Sequence, residues 1–181
     1  MKELTSYNRV AGYLNKVFDL LNAVYFENTL SRPTITIQSS PKAFGHFSLR
    51  NDTWISKNGQ SHEINVGAGT LARPIEEVAA TLLHEMVHYH NFVNGIQDCS
   101  RGGMYHNRRF RDSAMAHGLL VDHHDKYGWT ITSPSDSLLH LERGWPGCDG
   151  GQNLEHRRSA AHGAESDGRG LALQLYRPGC L

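Results

Sequence analysis

The sequence predicts an α+β domain in which a small, mainly antiparallel sheet packs on one long, buried helix. Three observations predict it. Apolar residues recur at threes and fours near the N-terminus, and do so again between Ile75 and Phe92. The stretch between these two patterns breaks into short β-branched runs separated by turn residues. Long helical patterns flanking a cluster of short strands are the signature of segregated helix and sheet layers.

The first helix is expected over 5–28. Val10, Tyr13, Leu14, Val17, Leu20, Leu21 and Val24 form its apolar stripe, and Thr5 or Ser6 could cap it. Pro33 forbids its continuation. Strands are expected over 33–38, 43–49, 53–56 and 62–66, with turns at Asn51-Asp52 and over 57–60. Gly67 to Thr70 has neither spacing of a phosphate-cradling loop and reads as a plain connection. Pro74 opens the second helix with Glu76 and Glu77 in its first turn, and Asn94-Gly95 closes it. It is apolar on most sides, which predicts the buried central helix. A third helix is expected from Met104 to about Gly118, and a last strand over 127–132. The folded domain is expected over 1–134. The remainder, 135–181, reads as a tail with one short helix at 135–141 and then a Gly-, Arg- and Ser-rich stretch of poor order.

Composition bounds the function. A length of 181 residues fits one domain plus an appendage, and 39% hydrophobic with 20% charged residues describes an ordinary globular chain. The formal net charge of +0 supplies no global field toward nucleic acid or membrane, so any such binding needs a local patch. Cys99, Cys148 and Cys180 form no CxxC pair, which argues against a disulfide scaffold and fits a reducing compartment. No signal-like N-terminus and no apolar run of ~20 residues stands out, so the expectation is a cytoplasmic protein with no membrane partner.

The chemistry concentrates in His84-Glu85-Met86-Val87-His88. On a helix, His84 and His88 stack on one face about one turn apart and can address one ion. Glu85 stands beside the first ligand, placed to act as a base on water at the metal. A catalytic zinc needs a third protein ligand and an open fourth position. His90, His106, His117, His123 and His124 are the candidates. His90 falls nearly opposite His88 on the helix and is excluded by geometry. His106 is favoured because it is read as opening a helix after a loop long enough to fold back. His117 is a helix's length further on, and His123 and His124 are reserves. His46 and His62 stand alone on strands and read as ordinary sheet histidines.

With Ala23-Val24-Tyr25-Phe26 ahead of the first strand, His84-Glu85-Met86-Val87-His88, and Tyr105-His106-Asn107-Arg108-Arg109-Phe110, the chain resembles the SprT-like family of zincin metalloproteases, over about 6–132. The resemblance implies a zincin-like fold, one Zn2+ held by His84, His88 and His106, and Glu85 as the catalytic base. His106 to Phe110 matches the family's His-x-x-x-Phe element. It also implies protein substrates attached to or crosslinked with DNA. Tyr127, His123 and His124 are candidates to support the oxyanion or to stand one layer out from the metal. Arg101, Arg108, Arg109 and Arg111 form a local basic cluster for nucleic-acid contact, and a solvated helix face explains them about as well. Many SprT-like proteins carry a C-terminal zinc ribbon of two cysteine pairs. This chain departs from that, since Cys148 and Cys180 stand alone. The alternative is a DNA-associated binding module whose zinc is structural.

Overall fold

The computed structural model describes residues 7–39, 43–48, 54–56 and 59–141. Helix α1, Tyr7–Tyr25, buries Leu14, Val17 and Leu21 of the expected stripe together with Phe18, which lies outside that stripe, while Val24 of the stripe is exposed. Its expected capping residues lie outside the described residues. Two left-handed residues, Glu27 and Asn28, end it, and the Asn28 amide closes back on the Asn22 carbonyl at 3.0 Å. The buried Asn22 amide side chain then pins the returning chain: it donates to the Leu30 carbonyl at 2.9 Å and accepts from the Leu30 amide at 3.3 Å.

The strands are β1, Thr34–Gln38; β2, Gly45–Ser48; β3, Trp54–Ser56; β4, Gly59–Ser61; and β5, Glu63–Gly67. The α+β class stands, but the single antiparallel meander does not form. β5 lies between β1, which it pairs in parallel, and β2, which it pairs antiparallel, while β3 and β4 make a separate hairpin. The physical reason is face matching. In this register Ile35 opposes Ile64 and Ile37 opposes Val66, while Phe47 of β2 also opposes Ile64, so one apolar face points at the core. Thr36, Glu63 and Asn65 then share the other face, where the Thr36 hydroxyl donates to Glu63 Oε1 at 2.6 Å.

After a 3-10 turn at Ala68–Thr70 comes helix α2, Ile75–Val93, whose every residue from Val78 to Tyr89 is buried. Each fully buried Leu or Met on it contributes roughly 1.5–3 kcal/mol of transfer free energy. α2 packs against β2 and β5 on one side and against β9 on the other. The second sheet runs β6-β7-β9-β8, from β6, Cys99–Ser100; β7, Tyr105–His106; β8, Leu119–His124; and β9, Gly128–Pro134. It too is mixed, with β7 and β9 parallel. Helix α3 is Arg108–Ala116, shorter than expected at its start. Asn107 caps it through its side-chain oxygen, which accepts from the Arg109 and Phe110 amides at 2.7 and 3.3 Å, so Met104 to His106 fall outside the helix. Helix α4, Asp136–Leu141, packs fully buried Leu138 into the core. The expectation for 142–181 lies outside the described residues. Among the described residues no helix is long and apolar enough to cross a membrane.

Candidate metal centre

Three imidazoles meet between α2 and β7. His84 and His88 come from successive turns of α2, as their spacing requires, and all three ring systems are buried. Their Nε2 atoms converge: His84 to His88 at 3.2 Å, His84 to His106 at 3.2 Å, and His88 to His106 at 3.0 Å. Tetrahedral zinc with bonds of 2.0–2.1 Å separates its nitrogen ligands by about 3.3–3.4 Å, so this triangle is close to the required size. His106 reaches it from a strand, not from the helix start read in the sequence. β7 holds it there. Its amide donates to the Tyr127 carbonyl at 2.9 Å, and it pairs with Gly128 on one side and Cys99 on the other.

The outer nitrogens set the tautomers. His88 Nδ1 lies 2.7 Å from Asp98 Oδ2, and a carboxylate only accepts, so this nitrogen carries the proton and Nε2 presents a lone pair. His84 Nδ1 lies 3.0 Å from the Thr132 hydroxyl, which allows the same tautomer. Lone pairs facing one another at 3.2 Å repel, and a cation among them turns that repulsion into ligation. The donor set therefore fits a metal ion. Burial pushes the His84 pKa well below its usual value, and charge on His88 and His106 would push it further. His106 is also well below, through burial first and then His88. Both are thus neutral at pH 7, the form that metal binding needs.

Asp98 carried no local signal in the sequence; only a search for a carboxylate to orient a ligand imidazole would have found it. Burial works against its charge, but the His88 ring beside it and hydrogen bonds from His88 and Asn91 outweigh burial and leave its pKa lowered. Asn91 links the parts, donating to Asp98 at 3.0 Å and accepting from the Ser113 hydroxyl of α3 at 2.8 Å. Beneath the triad lies Phe110, its ring centroid 4.6, 4.6 and 4.5 Å from those of His84, His88 and His106. This fully buried ring excludes water from the back of all three ligands. His88, Asp98 and Cys99 form a second close set of donors, but Asp98 is already engaged by His88.

Glu85 is fully buried and its carboxylate lies toward β2. A Cβ placed on Gly45 would sit 3.1 Å from Glu85 Oε1. His90 turns away from the triad and packs with Phe26 and His117. His117 stacks on Phe26, His124 packs on Tyr127, and His123 lies between Tyr105 and Trp129. Tyr127 is buried, and Lys126 lies over its ring. Arg108 and Arg109 are exposed, Arg101 lies over Tyr105, and Arg111 lies over Trp129 while pairing with Asp112.

Fold and site together define an α+β domain built around a three-histidine cluster able to bind a metal. The sequence model of the SprT-like family matches residues 14–120, more than half of the chain, and the chain belongs to that family. Membership implies a zincin-type, metallopeptidase-like domain. No curated protein and no solved structure matches the chain.

Proposed function

We propose that the chain is a zinc-dependent peptidase with a zincin-like fold, its ion held by His84, His88 and His106. The observation that carries this reading is the convergence of three Nε2 atoms beside a buried glutamate on the same helix. When bound, zinc supplies Lewis acidity, acidifying water and polarising a substrate carbonyl. Glu85 accepts the proton of the attacking water and returns it to the leaving amine. Asp98 and Thr132 hold the outer nitrogens of His88 and His84, and Phe110 keeps the rings in place and dry. Tyr127, His123 or His124 would support the oxyanion. Chelation should abolish hydrolysis of an unfolded protein substrate, and stoichiometric zinc should restore it. Hydrolysis that survives chelation and metal-free dialysis would refute the reading.

The substrates implied by the family resemblance are proteins held at DNA. One surface supports this. Arg101 lies 4.7 Å over the Tyr105 ring, the Tyr105 hydroxyl meets His123 Nε2 at 3.3 Å, His123 packs edge-on to Trp129, and Arg111 lies 4.7 Å over Trp129. Alternating guanidinium and ring groups suit unpaired bases and phosphates. Trp129→Ala should weaken binding of single-stranded DNA at low salt by at least about fivefold without changing metal content. Equal binding by the variant, or none by the parent, would remove DNA from the proposal.

A further inference from the structure

Past His88, the end of α2, the loop after it and the Arg101–Gly103 turn border a solvent-open cavity of about 600 Å³. His88 itself lines this cavity, so one imidazole belongs both to the metal centre and to the cavity wall. Phe92 and Ile96 supply apolar surface, and the lining as a whole is mostly apolar. Of its two charged residues, Asp98 accepts from His88 and Asn91, and the Arg101 guanidinium lies over the Tyr105 ring. Gly102 and Gly103, both with positive φ, turn the chain there without filling the space. The volume lies within the usual ~300–1,000 Å³ of ligand pockets and exceeds what any one side chain needs.

We infer that this cavity is a side-chain subsite of the proposed peptidase, and that it selects a large apolar residue, Leu, Met or Phe, flanking the bond to be cut. The inference rests on the peptidase reading, because the cavity acquires its role from its contact with a metal ligand. The mostly apolar lining gives an apolar side chain placed there a gain from transfer out of water, which a charged one would not share. Selection thus comes from burial next to the reacting centre, and the backbone of the substrate need not differ between good and poor sites.

The test is cleavage-site mapping of an unfolded protein by the zinc-loaded full chain. Leu, Met and Phe should be enriched at one position beside the cut at least about fivefold over Ala, Ser and Asp. Ile96→Trp and, independently, Ser100→Trp place an indole in the cavity and should shift that position toward Ala and Ser. In parallel, zinc-loaded Glu85→Gln should bind a Phe-containing peptide more tightly than its Ala counterpart, and Ile96→Trp should erase the difference. Cleavage without side-chain preference, an acidic preference, or a preference that neither Trp variant moves would overturn the subsite. Retained binding preference with no hydrolysis by the parent chain would uphold the subsite and overturn the peptidase reading instead.

Discussion

Glu85→Gln should leave the metal bound and lower peptide hydrolysis by at least about 10²–10⁴-fold, the usual worth of a positioned general base. The substitution is nearly isosteric, which matters because Glu85 is fully buried and its side chain lies against β2, where even a Cβ on Gly45 would come within 3.1 Å. The amide fills the same space but cannot take a proton from water. The three converging nitrogens belong to other residues, so the ion's ligands are untouched. Zinc content and kcat measured on the same preparation check this. Retained turnover within tenfold would assign the base to another group. An inert parent chain that nonetheless holds zinc and is stabilised by it would favour the alternative, a binding module with a structural metal.

The parts of the site that were legible in the sequence are those with local periodicity. His84 and His88 are read from their spacing. Helix α2 ends where its closing pair indicates and starts one residue after Pro74. His106 is different. Nothing local marks Tyr105–His106 as a strand, because two residues carry no alternation, and its ligand role rests on a resemblance and on an expected helix start, whereas α3 begins at Arg108 behind its Asn107 cap. β8 is illegible in the sequence for a related reason. Its burial runs Leu119 in, then mostly half-exposed or exposed to His124, so neither a two-residue period nor a continuous apolar run was present. The parallel pairing of β1 with β5 and the approach of Asp98 to His88 are contacts between segments, fixed by packing and invisible to a window of neighbouring residues.

That dependence on segment contacts makes Gly128→Ala the substitution outside the three ligands with the largest expected effect on the metal site. Gly128 has φ +75, and a Cβ there would lie 2.1 Å from the His106 carbonyl oxygen and 2.8 Å from the Tyr105 ring. Backbone cannot rotate out of the way as a side-chain tip can. Because β7 is two residues long and meets β9 at the His106–Gly128 pair, the strain falls directly on His106. The variant should lose roughly 2 kcal/mol or more of stability and bind zinc at least about tenfold more weakly, as a disturbed ligand support does. Gly95→Ala separates conformation from contact. Gly95 also has positive φ, +68, but a Cβ there meets nothing within 4 Å. It should therefore cost only about 1 kcal/mol for the left-handed backbone, with zinc affinity unchanged. Chelator competition alongside thermal unfolding measures both variants. If Gly128→Ala binds zinc as tightly as the parent, β9 is not what holds the third histidine, and the site must owe its geometry to α3 and Phe110 instead.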